Sequence, residues 1–72
     1  MVENQREFKL NSAFIELDNL LKVTNFVSSG AEAKKMIQAG LIKVNGVLES
    51  KVRRKLHPGD AVDFAENKIL IV

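Results

Sequence analysis

The chain has 72 residues, no cysteine, and 11 Lys and Arg against 9 Asp and Glu, for a net charge of +2. That length holds one domain, residues 1–72, with no room for a catalytic domain beside a binding one, and the missing thiols exclude disulfides and thiolate metal sites. No apolar run approaches the roughly 18 residues that span a bilayer, and the mixed-charge opening MVENQREFKL lacks the apolar core of a signal peptide; a cytoplasmic protein without membrane contact is expected.

The charge is unevenly spread. Residues 1–42 are neutral overall. Residues 43–57 carry Lys43, Lys51, Arg53, Arg54 and Lys55 against Glu49 alone. Residues 58–72 are net acidic. A cationic block of this kind is the local footprint of a polyanion site, whatever the overall net charge.

In chain order, residues 1–5 are polar and read as a frayed end. Arg6 to Leu10 alternates, with Phe8 and Leu10 on one side, and predicts a short strand. Phe14 to Thr24 reads as a helix whose apolar stripe is Leu17, Leu20 and Leu21. Phe26 and Val27 are expected to plug the corner before a second helix, from about Gly30 to Ala39. Ser29 and Glu32 have the spacing of a capping box, in which the hydroxyl accepts from the Glu32 amide and the carboxylate returns to the Ser29 amide. Ala33, Met36 and Ile37 share one helical face, and Lys34 and Lys35 point elsewhere. Gly40 stands where a left-handed stop is wanted.

Ile42 and Val44 then resume with period two, and Asn45-Gly46 is a strong hairpin signal. The stretch from Val47 to Leu56 alternates imperfectly, which predicts a strand that bends or ends near Ser50. Pro58-Gly59-Asp60 is a turn. Val62 and Phe64 face inward, Glu66-Asn67-Lys68 turns the chain, and Ile69 to Val72 closes as an apolar strand. Two helices with several short strands make an α+β domain, the helix pair packing on one face of a small, mostly antiparallel sheet.

Ser29, Ala33, Ile37, Gly40, Val44, Asn45 and Gly46 form an ordered set. With Leu17-Asp18, Leu20-Leu21 and Gly59-Asp60 around it, this set resembles the S4 RNA-binding domain, named after a small-subunit ribosomal protein. The resemblance covers roughly Ile15 to Phe64, and the whole chain is similar to the small stand-alone bacterial members. It implies the S4-like fold with its αL motif. It also implies an RNA surface made by the second helix, the adjacent loop and the hairpin, which places Ser29, Lys34, Lys35, Lys43 and Asn45 there. Lys51, Arg53, Arg54 and Lys55 join them on charge alone. Two positions depart from the family pattern: Glu16 stands where many members carry a basic residue, and Gly30 where many carry arginine.

Other chemistry is missing. His57 is the single histidine, so nucleophilic catalysis lacks its usual partners. Asp60 and Asp63 make a poor metal pair, and no glycine-rich phosphate loop is present. The four phenylalanines, Phe8, Phe14, Phe26 and Phe64, all fall in apolar patterns and read as core, leaving no stacking platform for unpaired bases. The expected function is non-catalytic binding of structured RNA, ribosomal or transfer RNA and with it the ribosome, by shape and phosphate; no cofactor, metal or small-molecule substrate is expected. The alternative is a protein-interaction adaptor, ribosome-associated, that docks an acidic partner on the basic block or pairs a strand with the edge at Ile69 to Val72.

Overall fold

The computed structural model describes residues 4–72. The elements run β1 (Asn4–Phe8), β2 (Ile15–Glu16), α1 (Leu17–Val23), α2 (Gly30–Gln38), β3 (Ile42–Val44), β4 (Val47–Leu48), β5 (Lys55–Leu56), β6 (Ala61–Phe64) and β7 (Asn67–Ile71). Five strands form one sheet in the order β1-β7-β6-β3-β4, and β2 and β5 form a separate two-stranded ribbon. Every pairing is antiparallel except β1 with β7. The α+β architecture read from the sequence is the one observed. The expected fray at residues 1–3 lies outside the described residues, whereas Asn4 and Gln5 belong to β1.

One core joins the layers. Leu17, Leu20 and Leu21 of α1 and Ala33 and Ile37 of α2 pack against Ile42, Val44, Val62, Ile69 and Ile71 of the sheet, all buried. The buried–exposed–buried pattern of β3 turns Ile42 and Val44 toward the helices and Lys43 away from them. Both helices stop by the same device. Asn25 (φ 65°) after α1 and Gly40 (φ 78°) after α2 adopt the left-handed conformation. The amides of Phe26 and Leu41 then donate back to the carbonyls of Leu21 and Met36, which satisfies the orphaned last turn.

Several expectations shift. The first helix begins at Leu17, not Phe14, because Ile15 and Glu16 pair with Leu56 and Lys55 instead. The second capping bond lands one residue earlier than expected: Ser29 Oγ accepts from the Glu32 amide, but the Glu32 carboxylate accepts from the amide of Ser28. The turn before the last strand is at Ala65 and Glu66, with Ala65 at φ 53°, and Asn67 and Lys68 are already in β7. That strand is no sheet edge, since β1 and β6 flank it; edge pairing at Ile69 to Val72 is therefore closed. Phe14 is 37% exposed, contrary to its core assignment. Among the described residues, no helix is long and apolar enough to cross a membrane, and no cluster of His, Cys, Asp or Glu could hold a metal ion.

Candidate nucleic-acid interface

The site begins with the way α1 starts. Its N-cap, Glu16, makes no side-chain capping bond. The amides of Leu17 and Asp18 instead donate to the carbonyls of Arg54 (2.9 Å) and Val52 (3.1 Å). Helix-start amides need acceptors, and here the loop after the hairpin supplies them. That loop is thereby pinned across the N-terminal end of α1, beside the start of α2.

A groove of about 460 Å³ results, lined by Asp18, Gly30, Ala31, Lys34, Val52 and Arg53. Lys34 and Arg53 come from opposite walls and both are exposed. The amides of Gly30 and Ala31, first in α2, have no acceptor among the described residues, so the positive end of the helix faces the groove. Among the described residues Asp18 is the one carboxylate on the lining, and its Oδ1 accepts from the Asn19 amide at 2.8 Å. Two cations and two free amides outweigh it, which makes the groove fit for an anion.

The remaining candidates distribute themselves differently. Ser29 borders the groove as the cap of α2, its hydroxyl engaged by the Glu32 amide at 3.2 Å. Lys35 and Lys51 are exposed but do not line the groove. Lys43 lies on the opposite face of the sheet, across from Leu48 and Asp63. Asn45 is a structural clamp: its Nδ2 donates to Asp60 Oδ1 and its Oδ1 accepts from the Ala61 amide, both at 2.9 Å. Arg54 is turned inward onto Glu49, Nη1 to Oε1 at 2.6 Å, while Glu49 Oε2 accepts from the amides of Ser50 and Lys51. The Arg54 bond, then the Lys51 amide, hold the Glu49 carboxyl below its ordinary range. Lys55 places its ammonium 4.9 Å from the Phe14 ring centroid.

Sequence reasoning missed the Gly30 and Ala31 amides, Asp18 and Val52. The first two carry no side-chain signal. The other two are recruited only because the loop folds back on α1.

A helix pair set on a mostly antiparallel sheet, with the hairpin following the second helix and a cationic groove at the helix starts, defines a small α+β module. The family model of the S4 domain matches residues 8–72, and the chain belongs to that family. It is 40% identical over 58 residues to YbcJ of Escherichia coli, whose name provisionally assigns it RNA binding; the match spans 81% of this chain and 83% of that protein. YbcJ of Shigella flexneri, uncharacterised, matches equally. The solution structure of E. coli YbcJ, described as revealing an αL motif involved in RNA binding, superposes with a TM-score of 0.72 at 36% identity, covering 100% of this chain and 92% of that one.

Proposed function

We propose that this chain, as one domain, binds structured RNA without catalysis, in the cytoplasm, through the groove between the start of α2 and the loop 49–54. The carrying observation is the convergence of Lys34, Arg53 and the free amides of Gly30 and Ala31 on one concave surface. Lysine supplies a point charge to a phosphate, and the arginine fork spans two phosphate oxygens. Spaced donors of this kind follow a folded backbone, as ribosomal or transfer RNA presents it on or off the ribosome. Lys35, Lys51 and Lys55 extend the positive field around the groove. The likeness to YbcJ supports the same reading.

The test is a salt titration of binding to a structured RNA. About five neutralised phosphates give a slope of log K against log salt of roughly −3.5 to −4.5. Replacing both Lys34 and Arg53 by Gln flattens it by about two, with circular dichroism confirming the fold. Salt-independent binding, or an unchanged slope in the folded variant, refutes the groove.

One observation favours the adaptor reading as second choice. Leu41 (52%), Val47 (68%) and Leu48 (59%) stand exposed around the β3–β4 hairpin. A bound protein that survives nuclease treatment and is lost in Leu48→Glu supports it.

A further inference from the structure

The register of the small ribbon sets Ile15 opposite Leu56 and Glu16 opposite Lys55. Leu56 is buried and Ile15 packs against the core. Strand alternation then turns Phe14, Glu16, Lys55 and His57 to the other, outer side. Phe14 stays 37% exposed, whereas Phe8, Phe26 and Phe64 pack against the core. Lys55 Nζ stands 4.9 Å from the Phe14 ring centroid, and the His57 ring lies 6.2 Å away, tilted by 50°. Beside them opens a concavity of about 270 Å³, in which Phe8, Leu10, Phe14 and Ile15 supply apolar wall, Asn11, Ser12 and Asn19 supply polar groups, and Glu16, across the ribbon from Lys55, supplies one carboxylate.

An aromatic ring, a mobile cation over it and amides at the rim are the three elements that hold a single nucleotide: stacking surface, phosphate partner and base-edge hydrogen bonds. The ribbon also joins this feature to the groove. Arg53, on the groove wall, precedes Lys55 by two residues, and Asp18, on the facing wall, follows Phe14 by four. Two residues of chain span at most about 7 Å, so a backbone leaving Arg53 meets Lys55 next.

We propose that Phe14, with Lys55 and His57, forms a stacking platform for one unpaired nucleotide flanking the structured RNA held in the groove. The base takes the place of the Lys55 ammonium over the Phe14 ring, the ammonium swings to the nucleotide's phosphate, and the base edge faces Asn11 and Asn19. This rests on the RNA-binding reading above and adds to it a preference for a duplex end with an overhang over a closed helix.

The experiment compares a short blunt RNA duplex with the same duplex carrying a single-stranded overhang that contains 2-aminopurine. The proteins are the full chain, Phe14→Leu and Phe14→Tyr, each checked by thermal melting. The expected result is overhang RNA bound about 5- to 150-fold more tightly than blunt RNA by the unmodified chain. Phe14→Leu erases that increment and leaves blunt-duplex affinity unchanged. The overhang fluorescence is quenched by the unmodified chain and by Phe14→Tyr but not by Phe14→Leu. Equal affinity of the unmodified chain for the two RNAs, or an increment that survives in folded Phe14→Leu, overturns the platform while leaving the groove intact. Failure to bind either RNA overturns both.

Discussion

Arg53 and Arg54 are neighbours of identical chemistry, and the structure sets them in different surroundings, Arg53 on the groove wall and Arg54 on Glu49. Truncating Arg54 to Ala removes the donor that sits 2.6 Å from Glu49, whose side chain is 10% exposed against 39% for the arginine. An exposed ion pair contributes about 0.2–1 kcal/mol, and breaking a fully buried one costs about 3–5 kcal/mol. This pair lies between: the arginine is partly open to solvent, and Glu49 Oε2 keeps two amides at 3.0 Å. The expected loss is about 1–2 kcal/mol. With a urea m-value of about 1 kcal/mol/M for so small a domain, the unfolding midpoint falls by about 1–2 M at unchanged m. The pH dependence supplies a signature. Glu49 is depressed below its ordinary value of 4.5, chiefly by Arg54, so its contribution is present above that pH and disappears as pH falls through the lowered folded-state value. The gap between the two proteins therefore narrows in acid. Arg54→Ala leaves the salt slope of RNA binding nearly unchanged. Arg53→Ala does the reverse: stability within about 0.5 kcal/mol of the parent and a slope shallower by about one. If Arg54→Ala unfolds at the parental midpoint and flattens the salt slope, the pair opens toward RNA and the division of labour is wrong.

Other outcomes follow from the same geometry. Gly30 lines the groove, and a Cβ there meets nothing within 4 Å; Gly30→Arg should steepen the salt slope by roughly 0.7–0.9, and a slope that stays put places the phosphates elsewhere. Gly46 sits at φ +84° in equally open space, so Gly46→Ala carries backbone strain alone and should cost about 1–2 kcal/mol, read as a melting temperature lower by about 5–15 °C. Asp60 accepts from the His57 amide at 2.8 Å and from Asn45 at 2.9 Å, and these bonds, the His57 amide first, lower its pKa from 3.8. That stabilisation is present above pH 3.8 and is lost as pH falls through the folded-state value. Asp60→Asn should therefore cost about 1–2 kcal/mol at neutral pH, a gap in thermal melts that narrows as pH falls below 3.8; a gap that stays constant into acid contradicts the assignment.

The sequence was most legible where one local rule suffices. Ser29 and Glu32 announce the start of α2, and Gly40 its end. Asn45-Gly46 marks a hairpin whose central residues have φ of 53° and 84°. Legibility failed where two distant segments compete for one backbone. Ile15 and Glu16 have helical periodicity, yet they pair with Lys55 and Leu56, because pairing satisfies amides on both segments at once. Phe14 follows them out of the helix pattern and onto the surface. The parallel union of β1 with β7 has no local signal, because it joins segments about sixty residues apart.

Composition and spacing alone determined the α+β class, most of the element types and the cationic character of residues 43–57, since each depends on side-chain identity read along the chain; the family came from the resemblance of one ordered set of residues. Which cations face a common groove was decided only by tertiary structure. Charge is additive along a sequence, but direction is not. The loop 49–54 is held to α1 by backbone bonds that any residue could make, and that anchoring leaves Arg53 on the groove wall, sends Arg54 to Glu49 and sets Lys55 over Phe14.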